Sequence, residues 1–187
     1  MDSAAVLSFW FSGGKQRWFE QRDETDQAIR ERFGDLYAQA VDGRLDAWAQ
    51  RADSRLALII LLDQFTRNLH RDTGEAWAND PRAQALALEG IERGHDRELL
   101  PIQRAFMYMP LMHAEDRALQ ERSVEQFSAL ESEAELGFVR HAVMHRDIVA
   151  RFGRFPHRNA LLNRTSTEEE AAYLAGGAPT FGVKSGQ

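Results

Sequence analysis

The sequence predicts an all-α fold, a single domain of about eight antiparallel packed helices. Three observations carry this. Apolar residues recur at three- and four-residue spacing along most of the chain, and no stretch alternates with the period of a strand. Helix punctuation recurs: starts at Asp23, Asp80-Pro81, Pro101 and Thr167, and stops at Gly43, Gly94, Gly153 and Gly176. One run, LALIILL at 56–62, is apolar all round, which suits a helix at the centre of a fold.

Composition bounds the function. With 187 residues, 43% hydrophobic and 28% charged, the chain can bury a core without staples and is not a disordered segment. The net charge of -6 argues against general nucleic-acid binding, which needs a basic surface. The absence of cysteine removes disulfides and thiolate metal sites. MDSAAVLSFWFSGG, the first fourteen residues, is too acidic for a signal peptide and its apolar run too short for a membrane anchor. A cytoplasmic protein with no membrane and no nucleic-acid partner is expected. Lys15 and Lys184 are the only lysines; every other basic residue is arginine, whose planar fork suits ion pairs and anions.

The elements follow in order. Ser3 to Phe11 reads as a short apolar helix closed by Ser12-Gly13-Gly14. Asp23 caps a helix whose Ile29, Phe33, Leu36, Tyr37 and Ala40 form one stripe, and LDAWAQ at 45–50 is a turn. The central helix runs from Ser54 to His70 and breaks at RDTG. Asp80 opens a helix that ends near Gly94. Pro101 opens another, which Pro110 should kink or end. Asp116 to Leu130 is amphipathic through Leu119, Val124, Phe127 and Leu130, and Leu136 to Phe152 follows. Thr167 with Glu170 makes a capping box for a last short helix. Residues 1–175 form the domain and 176–187 a loosely ordered tail. No period of about 34 or 40 residues is visible.

Four polar sets need explaining. Asp63, Gln64, Arg67, Asn68 and Arg71 fall within an arc of about 140° on an α-helical wheel. They are either a solvated helix end or the wall of a cleft, with Asp63 and Arg67 paired at i,i+4. His141 and His145 share a face with Phe138, Ile148 and Phe152, while Arg140, Asp147 and Arg151 form a solvated ladder. Two histidines without a third ligand at a set spacing are weak metal ligands, so no metal is expected. His113, Glu115 and Asp116 follow Pro110 as helix-start residues or as an acid–base pair. In RFGRFPHRN, 151–159, Gly153 and Pro156 force a tight bend that displays Arg154, His157, Arg158 and Asn159. A helical turn starting at Pro156 offers free N–H groups to an anion; alternatively the arginines cap carbonyls and pair with the acidic stripe. The stripe and the bend are expected to meet within about 3.2 Å, with Asp63 the carboxylate of Arg154 or Arg158.

FWF, WF, LLDQFTRN, YMPLMHAED and HRDIVARFGRFPHRNALLNR together resemble the bacterial domain of unknown function 924 family, from about Val6 to Leu174. The resemblance implies a tetratricopeptide-like αα superhelix, here without sequence repeats. Its motif positions correspond to Asp63, Gln64, Arg67, Asn68, His113, Glu115, His145, Arg154, Pro156, His157, Arg158 and Asn159. Asn163 stands where the resemblance implies a glycine before the arginine. It implies no reaction, so no catalytic role is carried over.

Three functions compete. In a binding module, Gln64, Arg67, Asn68, His113, Arg154, Arg158 and Asn159 line a cleft that grips an anionic small molecule or peptide. In an enzyme, His145 or His157 is a general base, Glu115 or Asp63 its orienting carboxylate, and Arg154 or Arg158 an anion holder. In the third, the same residues are a sealed network that fixes helix stacking. No cysteine and no serine in an elbow motif supplies a nucleophile, so binding leads and no cofactor is expected.

Overall fold

The structure is a computed structural model that describes residues 2–134 and 136–181. Those residues form helices and connections and contain no strand. In chain order the helices are α1 (Ser3–Ser12), α2 (Gly14–Phe19), α3 (Asp23–Val41), α4 (Ala52–Ile59), α5 (Thr66–Leu69), α6 (Asp80–Glu92), α7 (Pro101–Met112), α8 (Arg117–Glu133), α9 (Val139–Phe152) and α10 (Glu168–Ala175).

The central helix is the run from Ala52 to Leu69, and it is not uniform. A π-helical segment, Ile60–Phe65, joins α4 to α5. The α-helical wheel therefore does not hold across the residues where the polar stripe begins. The Thr66 hydroxyl donates to the Leu62 carbonyl at 2.7 Å, a side-chain bond that competes with the helical ladder. Leu56 through Leu62 are fully buried, as an all-round apolar run demands. Aromatic rings from three further helices close on this rod. Phe33 lies 5.4 Å and Trp10 5.6 Å from Phe65, and Phe106 lies 5.7 Å from Trp10.

Two boundaries differ from expectation. The chain does not loop out after Ser12; Gly14, at φ +57°, turns it into α2. That helix folds Trp18 back, so its indole N–H donates to the Trp10 carbonyl at 2.9 Å. Pro110 does not stop α7 at once: the helix continues to Met112, and His113 caps it. α7, α8 and α9 pack in succession against one another. At the far end, the Thr167 hydroxyl accepts from the Glu170 N–H, and Glu170 accepts from the Thr167 N–H, the expected capping box. Gly74 marks a close approach: a Cβ there would lie 2.8 Å from the Leu161 carbonyl oxygen. Of the expected tail, Phe181 lies against His145 with ring centroids 4.0 Å apart. Residues 182–187 of that tail lie outside the described residues.

Candidate functional site

The polar stripe is buried, not solvated. Asp63 is fully buried, and Gln64 and Asn68 are nearly so. A carboxylate at such a place needs partners on every side. Asp63 Oδ1 lies 2.8 Å from His113 Nδ1 and 3.0 Å from Arg67 Nη1, the i,i+4 pair the spacing predicts. Its Oδ2 accepts from the Gln64 amide at 2.5 Å. Burial alone would raise the Asp63 pKa, but Arg67 and His113 outweigh it and hold the carboxyl well below the usual carboxylate range. Arg67 reaches on to Asp80, 3.0 Å away. Asn68 and Arg71 turn instead to Asp26, with Asn68 Nδ2 and Arg71 Nη2 donating to Oδ1 at 2.7 and 2.9 Å.

The bend joins this cluster through one arginine. Arg158 Nη2 donates to the His113 carbonyl at 3.0 Å, and Nη1 to Asp80 at 3.4 Å. Its guanidinium also sits 4.5 Å from the centroid of Phe155 and 5.2 Å from that of Trp77. Burial, reinforced by Arg67, lowers the Arg158 pKa to about 10, still a cation at neutral pH. Stripe and bend thus converge, but on Asp80 and His113 and not by the direct contact expected. Asp63 is the partner of neither Arg154 nor Arg158. The missed carboxylate, Asp80, reads in the sequence as a helix-start residue, which it also is.

The other expected site residues form a second knot. Arg154 clamps Glu170 with Nε to Oε1 at 2.6 Å and Nη2 to Oε2 at 2.7 Å. Asn159 donates to Glu170 and to Ser166. Glu115 accepts the Phe155 N–H at 2.7 Å and both arms of Arg164, at 2.6 and 2.9 Å. Arg164, which the sequence reading did not single out, also donates to Asn159 Oδ1. Asn163 sits at φ +53°, the left-handed region that glycine or asparagine tolerates, so the departure from the implied glycine keeps the turn. These bonds tie α10 to the bend.

The knot has a pH signature. Glu170 is pulled down to about 2, first by the Arg154 hydrogen bonds. A carboxyl depressed in the folded state stabilises above its unfolded pKa, and that stability fades as pH falls through the folded value. Melts should therefore show a loss between about pH 4.5 and pH 2. Glu170→Gln should remove most of that slope, measured as wild-type minus variant stability against pH. An unchanged slope would show that the clamp contributes nothing to folding.

A cavity of about 770 Å³ opens beside the first cluster. Gln64, Arg67, Asn68, His113, His145, His157 and Arg158 line it, while Asp63 lies behind its wall. Glu115, Arg154 and Asn159 are not among the lining residues. His145 donates Nδ1–H to the His141 carbonyl at 2.8 Å, since a carbonyl only accepts. Burial, then the neighbouring His113, lowers His145 to about 3; burial, then Arg158, does the same to His157. Both rings are neutral near pH 7. Sequence reasoning missed α2, which adds Lys15, Arg17 and Trp18 to the wall, and also missed Trp77. Only the aromatic density of FWF and WF hinted at that corner. Among the described residues no group of three histidine or acidic side chains could hold a metal ion.

Helices alone, a polar cluster from the central helix and an arginine bend around a cavity define an all-helical domain with an internal pocket. The chain belongs to the family of bacterial proteins of unknown function DUF924, whose model matches residues 6–178. It is similar to the solved structure of a protein of unknown function from Agrobacterium tumefaciens. The two are 42% identical, with a TM-score of 0.86, over 93% of this chain and 97% of that one. No curated protein matches the chain. Among the described residues no helix is long and apolar enough to cross a membrane.

Proposed function

We propose that this protein binds a small organic anion with an apolar or aromatic body in the cavity between α2, α5, α7 and α9. One observation carries the reading. The wall includes five cations, Lys15, Arg17, Arg67, Arg71 and Arg158, against two carboxylates, Glu20 and Asp72, on a chain of net charge -6. Arg67, Arg71 and Arg158 are already paired with Asp63, Asp26 or Asp80. Lys15 and Arg17 pair with no carboxylate among the described residues. Arg17 instead donates to the Phe9 carbonyl and Ser12 hydroxyl, and burial with nearby Arg32 lowers its pKa. An anion near these two cations would supply the missing counter-charge.

The cavity volume lies in the range of about 300–1,000 Å³ usual for small-molecule sites. That supports a small ligand over a peptide. Trp18, Trp77, Met109, Met112 and Phe138 supply apolar surface for its body. Arg154 and Asn159, held in the Glu170 knot, have a structural role in this reading.

A melting screen tests it, with phenyl phosphate, benzoate, nucleotides and dicarboxylates set against neutral benzamide. An anion at about 100 times its dissociation constant should add about 2.7 kcal/mol of stability. The Lys15→Ala/Arg17→Ala double variant should lose that gain. No shift with any anion, or an equal shift in the double variant, would reject the site.

A further inference from the structure

We infer that the same cavity is a hydrolytic reaction centre in which His113, oriented by Asp63, activates a water against an acyl bond of the bound anion. The inference rests on the binding reading above and adds chemistry to it. Its starting point is the pair itself. A carboxylate can only accept, so the 2.8 Å contact fixes the proton on His113 Nδ1 and leaves Nε2 as the nitrogen that takes up or gives back a proton. Nε2 has no protein partner among the described residues, and the ring lines the cavity. This is the arrangement of a general base held by a buried carboxylate.

The surroundings hold the pair in place on both sides, the backbone of His113 as well as Asp63. The π-helical segment carries Asp63, and such segments are frequent at functional sites. Arg158 grips the His113 carbonyl at 3.0 Å, and the His113 N–H bonds to the Met109 carbonyl at 3.0 Å. Both Asp63 oxygens are occupied, by His113 with Arg67 and by Gln64, so the carboxylate is a positioning group and not the base. A network built only for stability has no need to leave an imidazole nitrogen unpaired on a ring beside a cavity.

The wall also selects the nucleophile. None of the cavity-lining side chains carries a hydroxyl or thiol. With no hydroxyl or thiol in the wall and His113 held as a base, water is the nucleophile of this proposal. His113 Nε2 takes a proton from water as the oxygen bonds to the acyl carbon. The bond from that carbon to the leaving oxygen breaks, and the imidazolium returns the proton to it. One ester and one water give one acid and one alcohol. Asp63 stabilises the transient imidazolium, and Lys15 and Arg17 favour a substrate with a carboxylate or phosphate.

The test follows para-nitrophenolate release from para-nitrophenyl acetate and from its hemisuccinate, using the full chain. The expected rate exceeds that of equimolar imidazole by about a hundredfold, with the anionic ester preferred. His113→Gln should abolish the excess. Asp63→Asn should cut it by about tenfold or more and alter the pH profile, which a purely structural role would not do. His70→Asn, outside the cavity wall and paired with Glu75, should leave it unchanged. If the His113 and Asp63 variants fail to fold, diethyl pyrocarbonate on the wild type decides. Loss of activity should follow a single modification at His113 and reverse with hydroxylamine. Release at the imidazole rate, release undiminished in His113→Gln, or inactivation with His113 unmodified would overturn the inference. Anion-induced melting shifts without hydrolysis would leave binding standing and remove the catalysis; absence of both would remove both.

Discussion

Arg158→Ala should destabilise the fold by roughly 3–5 kcal/mol, a large share of the 5–15 kcal/mol that holds a domain together. Arg158 is 6% exposed and bridges the bend to the centre of the molecule. Its removal leaves the His113 carbonyl without that donor and takes one of two cations from Asp80. It also empties the space between Phe155 and Trp77. Arg67 still holds Asp80, so the lower end of the range is expected. Arg158→Lys should recover little, because one ammonium cannot reproduce two arms bonded to different acceptors. Urea melts measure both. A change within about 1 kcal/mol would place Arg158 on a solvated surface.

Asp63→Ala should cost a similar amount, about 3–5 kcal/mol. It removes the charge that Arg67 and His113 share and leaves a void beside the central helix. Asp63→Asn keeps the volume and much of the hydrogen bonding, so about 1–3 kcal/mol is expected. The difference between the two variants isolates packing from charge. Equal losses would mean that charge alone matters; no loss in either would mean that the cluster does not stabilise the fold.

Much of the fold was legible because helices announce themselves locally. The cap at Thr167, stops at Gly43 and Gly153, and the all-apolar run 56–62 each act over a few residues; Asp23 begins α3 as expected but does not cap it, since Arg22 holds that position without a side-chain bond. The π-helical segment was not legible, since its register depends on packing and on the Thr66 hydroxyl. α2 was hidden by Gly13-Gly14, which reads as a helix stop and serves here as a hinge between two helices. Of the site, the residue set was legible and the pairing was not. Asp63–Arg67 is four residues apart and could be read. Arg158–Asp80 and His113–Asp63 span 78 and 50 residues, and only the tertiary fold decides them. The bend splits for the same reason: Arg158 turns to the cavity while Arg154 turns away from it to the buried Glu170, and one sequence motif carries both.

Ligand binding in the cavity is the proposed function, and the protein's four tryptophans report on it. Trp18 and Trp77 line the cavity, and Trp48 does not. A proton–nitrogen correlation spectrum resolves each indole N–H, and phenyl phosphate is titrated against it. The Trp18 and Trp77 resonances should move together along one saturable curve, with Trp48 unmoved. Indole resonances that all stay fixed, or a Trp48 shift as large as theirs, would contradict the claim.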